Sequence, residues 1–196
     1  MPSLGDRQKK LLLQVARRAM IGAVQSEASL SIVPEDSPRE PGGAFVTLHR
    51  GSHLRGCIGQ LPGDQPLVNV VAHCARMAAL EDPRFSPILP EELGTIHIEI
   101  SVLSVPEDIA ADDIIPGTHG LLVGRAADRG VLLPQVASRF GWSALRFLEE
   151  TCVKAGMEPH AWKDPNTRIQ AFTAEIFSES DFRPDEILKE SYSIST

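Results

Sequence analysis

The chain has 196 residues, a net charge of −7 and three cysteines. That length suits one domain, or one core with two lobes, and buries roughly 70% of the unfolded surface without a staple. The acidic balance argues against strong non-specific nucleic-acid binding. No apolar run approaches the ~20 residues of a bilayer span, and no signal-peptide pattern opens the chain. Cys57, Cys74 and Cys152 are odd in number and widely spaced, which fits a reducing compartment rather than a disulfide framework. The expected location is the cytoplasm.

The first predicted element is a helix over 6–26. Leu12, Val15, Ala16, Ala19, Met20 and Ala23 recur at three- and four-residue steps and form one apolar stripe. Asp6 suits the N-cap. Its basic runs, Arg7-Gln8-Lys9-Lys10 and Arg17-Arg18, read as a solvated helix face. Residues 34–43, with Pro34, Pro38, Pro41, Gly42 and Gly43, read as a loop.

Two strands follow, 44–50 and 53–60, joined around Arg50-Gly51-Ser52 as a β-hairpin. The second carries Arg55, Gly56, Cys57 and Gly59. A two-residue turn would pair Leu48 with Arg55. A three-residue loop would pair Leu48 with Leu54 and Val46 with Gly56, and it segregates apolar from polar faces more cleanly, so it is the preferred register. It gathers Phe45, Thr47, His49, His53, Arg55 and Cys57 on one face and turns Leu54, Gly56 and Ile58 to the core.

Two readings of Cys57 stand side by side. Arg55 on the same face would favour the thiolate, and Gly56 and Gly59 would leave room for a substrate or a close backbone, which makes Cys57 a candidate nucleophile. Buried cysteine is also a common small hydrophobe. Cys74 and Cys152 sit on apolar helix stripes and read as packing residues.

A second helix runs from Pro66 to Leu80 with Leu67, Val70, Val71, Cys74 and Ala78 inward, and Pro83 stops it. Asp82 and Arg84 just beyond either line a cleft near the hairpin or hold the helix stop as an ion pair. In "TIHIEISVLS" (95–104), Ile96, Ile98, Ile100 and Val102 alternate with His97, Glu99 and Ser101, which is a half-buried strand. Glu99 with His97 offers acid–base chemistry or an ordinary polar sheet face. Further on come short strands at 118–125 and 129–135, helices at 134–140 and 143–155 ended by Gly156, and a last strand at 168–179; the tail after Asp181 is polar and reads as loosely held. Strands and helices do not alternate as βαβ, so the expected fold class is α+β: a mixed, largely antiparallel sheet flanked by helices. No C-x-x-C, H-E-x-x-H, G-x-G-x-x-G or Walker pattern occurs, so neither a metal nor a cofactor is implied.

"LRGCIG" (54–59), "DPRFSP" (82–87), "IEISVLS" (98–104), "LLPQVA" (132–137) and "KAGM" (154–157) followed by Trp162 occur in this order. Together they resemble the AMMECR family, whose prokaryotic members are also called AmmeMemoRadiSam system protein A, over roughly residues 8–180. The resemblance implies a compact α+β fold with a larger lobe (about 6–110 plus 165–180) and a smaller one (about 111–164). It also implies genomic association with a Memo-like protein, related to extradiol dioxygenases, and with a radical SAM protein. It carries no known reaction. The hexapeptide from Leu54 to Gly59 is then a proposed functional surface, with Cys57 the catalytic candidate and Arg55, Gly56, Gly59, Asp82 and Arg84 the candidate ligand- or partner-binding residues. Three functions follow: an enzyme or enzyme subunit acting on a small molecule at a cleft by the hairpin, a non-catalytic adaptor for those partners, or, least favoured by the charge, a nucleic-acid binder.

Overall fold

A computed structural model describes residues 3–26 and 37–188. In chain order the main elements are α1 (Asp6–Val24), β1 (Gly43–Arg50), β2 (His53–Gln60), α2 (Leu67–Leu80), β3 (Ile96–Leu103), β4 (Glu107–Asp108), β5 (Gly120–Arg125), β6 (Asp128–Leu132), α3 (Pro134–Phe140), α4 (Ala144–Lys154), β7 (Arg168–Phe172), β8 (Ala174–Ser178) and α5 (Pro184–Leu188). The fold is α+β, with two separate four-stranded sheets ordered β2-β1-β3-β8 and β4-β7-β5-β6. Two compact units result, one of residues 1–103 and 175–196, the other of 104–174. Part of the loop expected at 34–43 (34–36) and the tail from 189 lie outside the described residues. No helix among the described residues is long and apolar enough to cross a membrane.

In the first unit, the inward residues of the sheet (Ala44, Val46, Leu48, Ile98 and Ile100) are fully buried against the stripes of α1 and α2. Leu12, Ala16 and Met20 face this core from α1; Leu67, Val70, Val71, Cys74 and Ala78 face it from α2, as the spacing predicts. Gly5, not Asp6, occupies the N-cap of α1, and its amide bonds the Gln8 side chain. Asp6 falls in the first turn, where a carboxylate suits the helix dipole.

The solvated-face expectation fails at Arg17, which is only 8% exposed. Its Nε and Nη2 donate to Glu179 at 2.9 and 2.5 Å, and its remaining donors reach the carbonyls of Leu93 and Ile96. Glu179 also accepts the Ile98 amide at 2.9 Å. The segment after Asp181 is not loose as far as residue 188: Ile187 is buried in the core, Phe182 packs against it, and Glu186 pairs with Lys10.

The predicted last strand is two strands. β7 pairs with β5 in the second sheet, and after Thr173 the chain continues as β8 beside β3 in the first. In the second unit Leu121, Val123, Ala137, Phe147, Leu148 and Cys152 form a separate core. Gly156 takes φ +78 just past α4, as its role at that helix end requires.

Candidate functional site

The hairpin tip is a two-residue turn. Gly51 has φ +59, Arg50 pairs with His53, and His49 with Leu54. The register then slips by one residue at Arg55, a β-bulge, so that Leu48 meets Gly56, Thr47 meets Cys57 and Val46 meets Ile58. The preferred three-residue register is therefore wrong by two residues. Because side chains alternate with a period of two, that error leaves Cys57 on the predicted face. It does not spare Leu54, which lies opposite outward-facing His49 and is 38% exposed instead of buried.

Across β2, β1 and β3 the outward face carries three rows: Gly59–Phe45–Ser101, Cys57–Thr47–Glu99 and Leu54–His49–His97. The Cys57 thiol is half-buried and receives the Thr47 hydroxyl at 3.4 Å. Burial pushes its pKa above the ordinary thiol value; Thr47 and Arg84 pull the other way without reversing it. The cation at this peptide is Arg84, not Arg55, which corrects the expected arginine–thiolate pairing.

Asp82, 4% exposed, sits just beyond α2 and holds this strand. Its Oδ2 accepts the Cys57 amide at 2.8 Å, and its Oδ1 accepts the Arg84 amide and Nε at 3.1 and 2.9 Å. Arg84 Nη2 closes the ring, donating to Asp82 at 2.7 Å and to the Cys57 carbonyl at 3.0 Å. The pair is an ion pair just past the helix stop, and it clamps the motif strand. The Arg84 guanidinium holds the Asp82 carboxyl down at about 2.

Arg55 leaves the bulge toward a second anchor. It donates to Glu92 at 3.0 and 2.9 Å and to the carbonyls of Ser86 and Pro87 at 2.8 and 3.2 Å. Glu92 also accepts the Leu89 amide at 3.0 Å, and chiefly through Arg55 its carboxyl is lowered to about 2. Glu92 escaped the sequence reading. Its signal was Leu89-Pro90-Glu91-Glu92, a proline in the first turn with an acid placed to reach back to the residue before it; a short 3-10 helix, Pro90–Thr95, starts there.

The glycines do not open space at the thiol. A Cβ on Gly56 would lie 2.2 Å from the Ala78 carbonyl oxygen of α2, and one on Gly59 would lie 2.2 Å from the Phe45 ring. Gly56 is thus the close backbone approach that a strand glycine signals. The open space lies beside the hairpin instead: a groove of about 470 Å3 lined chiefly by Arg50, Arg55, Phe85, Leu89, Glu91 and Glu92. The structure brings Cys57, Asp82 and Arg84 together, sends Arg55 to the groove wall, and turns Gly56 toward α2. Among the described residues no group of three histidine, cysteine, aspartate or glutamate side chains is arranged to hold a metal ion.

A family model described as AMMECR1 matches residues 13–177. A protein of Methanothermobacter thermautotrophicus is 42% identical over 186 residues, covering 90% of this chain and 96% of the relative. Protein TK0174 of Thermococcus kodakarensis is 41% identical over 188 residues, covering 89% and 91%. The crystal structure of uncharacterized protein PH0010 from Pyrococcus horikoshii superposes with a TM-score of 0.83 at 39% identity, covering 90% of this chain and 93% of that one. With the motif hexapeptide, the two-sheet α+β fold and these relatives in agreement, the chain belongs to the AMMECR1 family.

Proposed function

We propose that the chain is a cytoplasmic binding module whose hairpin, β1–β2, and the laced segment 82–92 form a docking surface for a protein partner. The observation that carries this reading is the commitment of both motif arginines. Arg55 and Arg84 each direct donors to groups of the protein itself, tying 82–92 to β2. Such a surface is ordered before a partner arrives, so binding costs little further side-chain freedom. The Memo-like and radical SAM proteins implied by the family resemblance are the partners to test.

A second reading, a small-molecule-modifying enzyme with Cys57 at its centre, draws on the row Cys57–Thr47–Glu99 beside His49–His97. Against it, the thiol's hydrogen-bond neighbour is a hydroxyl, not a base, and its pKa is raised. A nucleophile needs the opposite.

Purified Memo-like and radical SAM proteins from the same genome test the first reading in a pull-down. At least one is expected to be retained by the parent chain and lost on Leu54→Asp. Retention of neither, or retention unaffected by the substitution, overturns docking at this hairpin.

A further inference from the structure

Arg50 ends β1 next to the hairpin turn and lines the groove with its side chain 59% exposed. Among the described residues its one polar contact is a 3.4 Å approach to Glu92 Oε1, the long limit of a hydrogen bond. That carboxylate is already occupied by two Arg55 donors and the Leu89 amide. Arg50 therefore keeps most of its five donors for an incoming group, whereas Arg55 in the same wall is spent. Phe85 and Leu89, the latter 52% exposed, add apolar lining to the same groove. Glu91 lines the groove as well and has no partner among the described residues.

Resting on the docking reading above, we infer that this groove takes an extended peptide segment of a protein partner, carrying one acidic side chain next to an apolar one. The carboxylate bonds Arg50, which offers the two parallel donors that a carboxylate fits. The apolar neighbour covers Phe85 and Leu89. Glu91 repels a second acid, so a single acid is selected over an acidic run. The groove is open, and a small molecule lying in it keeps much of its surface in water, whereas small-molecule sites enclose about 70–90% of their ligand. An extended chain gains from contacts on both sides of its anchor, and arginine is among the residues enriched at such anchor points.

The test uses the full chain and three pools of end-blocked, fluorescein-labelled hexapeptides followed by anisotropy. The first pool holds one aspartate or glutamate beside leucine or phenylalanine. The second replaces the acid by lysine, and the third keeps the acid but replaces the apolar neighbour by alanine. The first pool is expected to bind at least tenfold more tightly than either other. Arg50→Ala reduces that binding at least tenfold, Leu89→Ser weakens it, and Glu91→Gln strengthens it; all three side chains are exposed, and a thermal melt verifies that each variant folds. Equal binding of the pools, binding unchanged by Arg50→Ala, or tighter Arg50-dependent binding of benzoate or of a single-stranded oligonucleotide overturns the inference. A pull-down partner retained by Leu54-dependent but Arg50-independent contacts removes this inference alone and leaves the docking reading standing.

Discussion

Asp82 Oδ2 accepts the Cys57 amide at 2.8 Å while Arg84 caps the carbonyl of the same residue at 3.0 Å. One ion pair thus satisfies both backbone polar groups of a single residue in the middle of the motif. Removing the acid strands the amide and leaves Arg84 without its counter-charge. Asp82→Ala is expected to cost about 2–3 kcal/mol, and Asp82→Asn, which keeps an acceptor, about half as much. Urea unfolding of the two variants checks the order; equal stability of Asp82→Ala and the parent would refute the clamp.

The same carboxyls set an acid limit. Asp82 and Glu92 are each held at about 2, well below the ordinary carboxylate range. Their folded forms bind protons less readily than their unfolded forms. The stability they contribute is therefore complete above about pH 5 and lost as pH falls from about 4 toward 2. For the nearly buried Asp82 this amounts to about 2 kcal/mol. Thermal melts across pH 2–6 are expected to show a steep fall in that window, shallower in Arg84→Ala, where the Asp82 pKa returns toward its free value.

Cys57 is expected to alkylate slowly at neutral pH. Its thiol is raised by burial, so iodoacetamide reactivity measured on a Cys74→Ala, Cys152→Ala background rises only above the ordinary thiol range. Thr47→Val removes a donor to the sulfur and moves the profile further up. A midpoint below about 8.5 would restore the nucleophile reading.

Gly56 and Gly63 separate packing from mere turn preference. Gly56→Ala drives a methyl into the Ala78 carbonyl, a backbone atom that cannot step aside, whereas Gly63 has nothing within 4 Å. The first is expected to cost about 3 kcal/mol or more, and the second less than about 1 kcal/mol. Similar melting temperatures for the two would contradict the close approach of α2 to β2.

Arg17→Ala leaves Glu179 in a largely buried place without its cation and unsatisfies two carbonyls. An expected loss of about 3–5 kcal/mol follows, with Arg17→Lys recovering only part of it because one ammonium cannot reproduce the two-pronged contact. Denaturant midpoints of the two variants decide it.

Much of the fold was legible because burial follows periodicity. The stripes of α1 and α2 and the alternation of β3 name core residues correctly, and the family motifs agree in order. The hairpin register was not legible, because a bulge at Arg55 adds a residue without changing composition, and no periodicity records it. Arg17 was misread because its partner, Glu179, is 162 residues away and only the fold brings them together. A shorter separation, 37 residues, was enough to hide the Arg55–Glu92 anchor. The pair Asp82–Arg84 was visible, yet its service to Cys57 depends on where α2 ends relative to β2, which no local pattern encodes.

The outer position of β2 gives the Asp82–Arg84 clamp one more consequence. An outermost strand offers its free amides and carbonyls to any other extended chain, which is how sheets grow from one molecule into the next. At Cys57 that offer is withdrawn, since donor and acceptor are both occupied by side chains from the protein's own loop. The hairpin that presents the motif is thereby shielded, at its central rung, from pairing with another copy of itself.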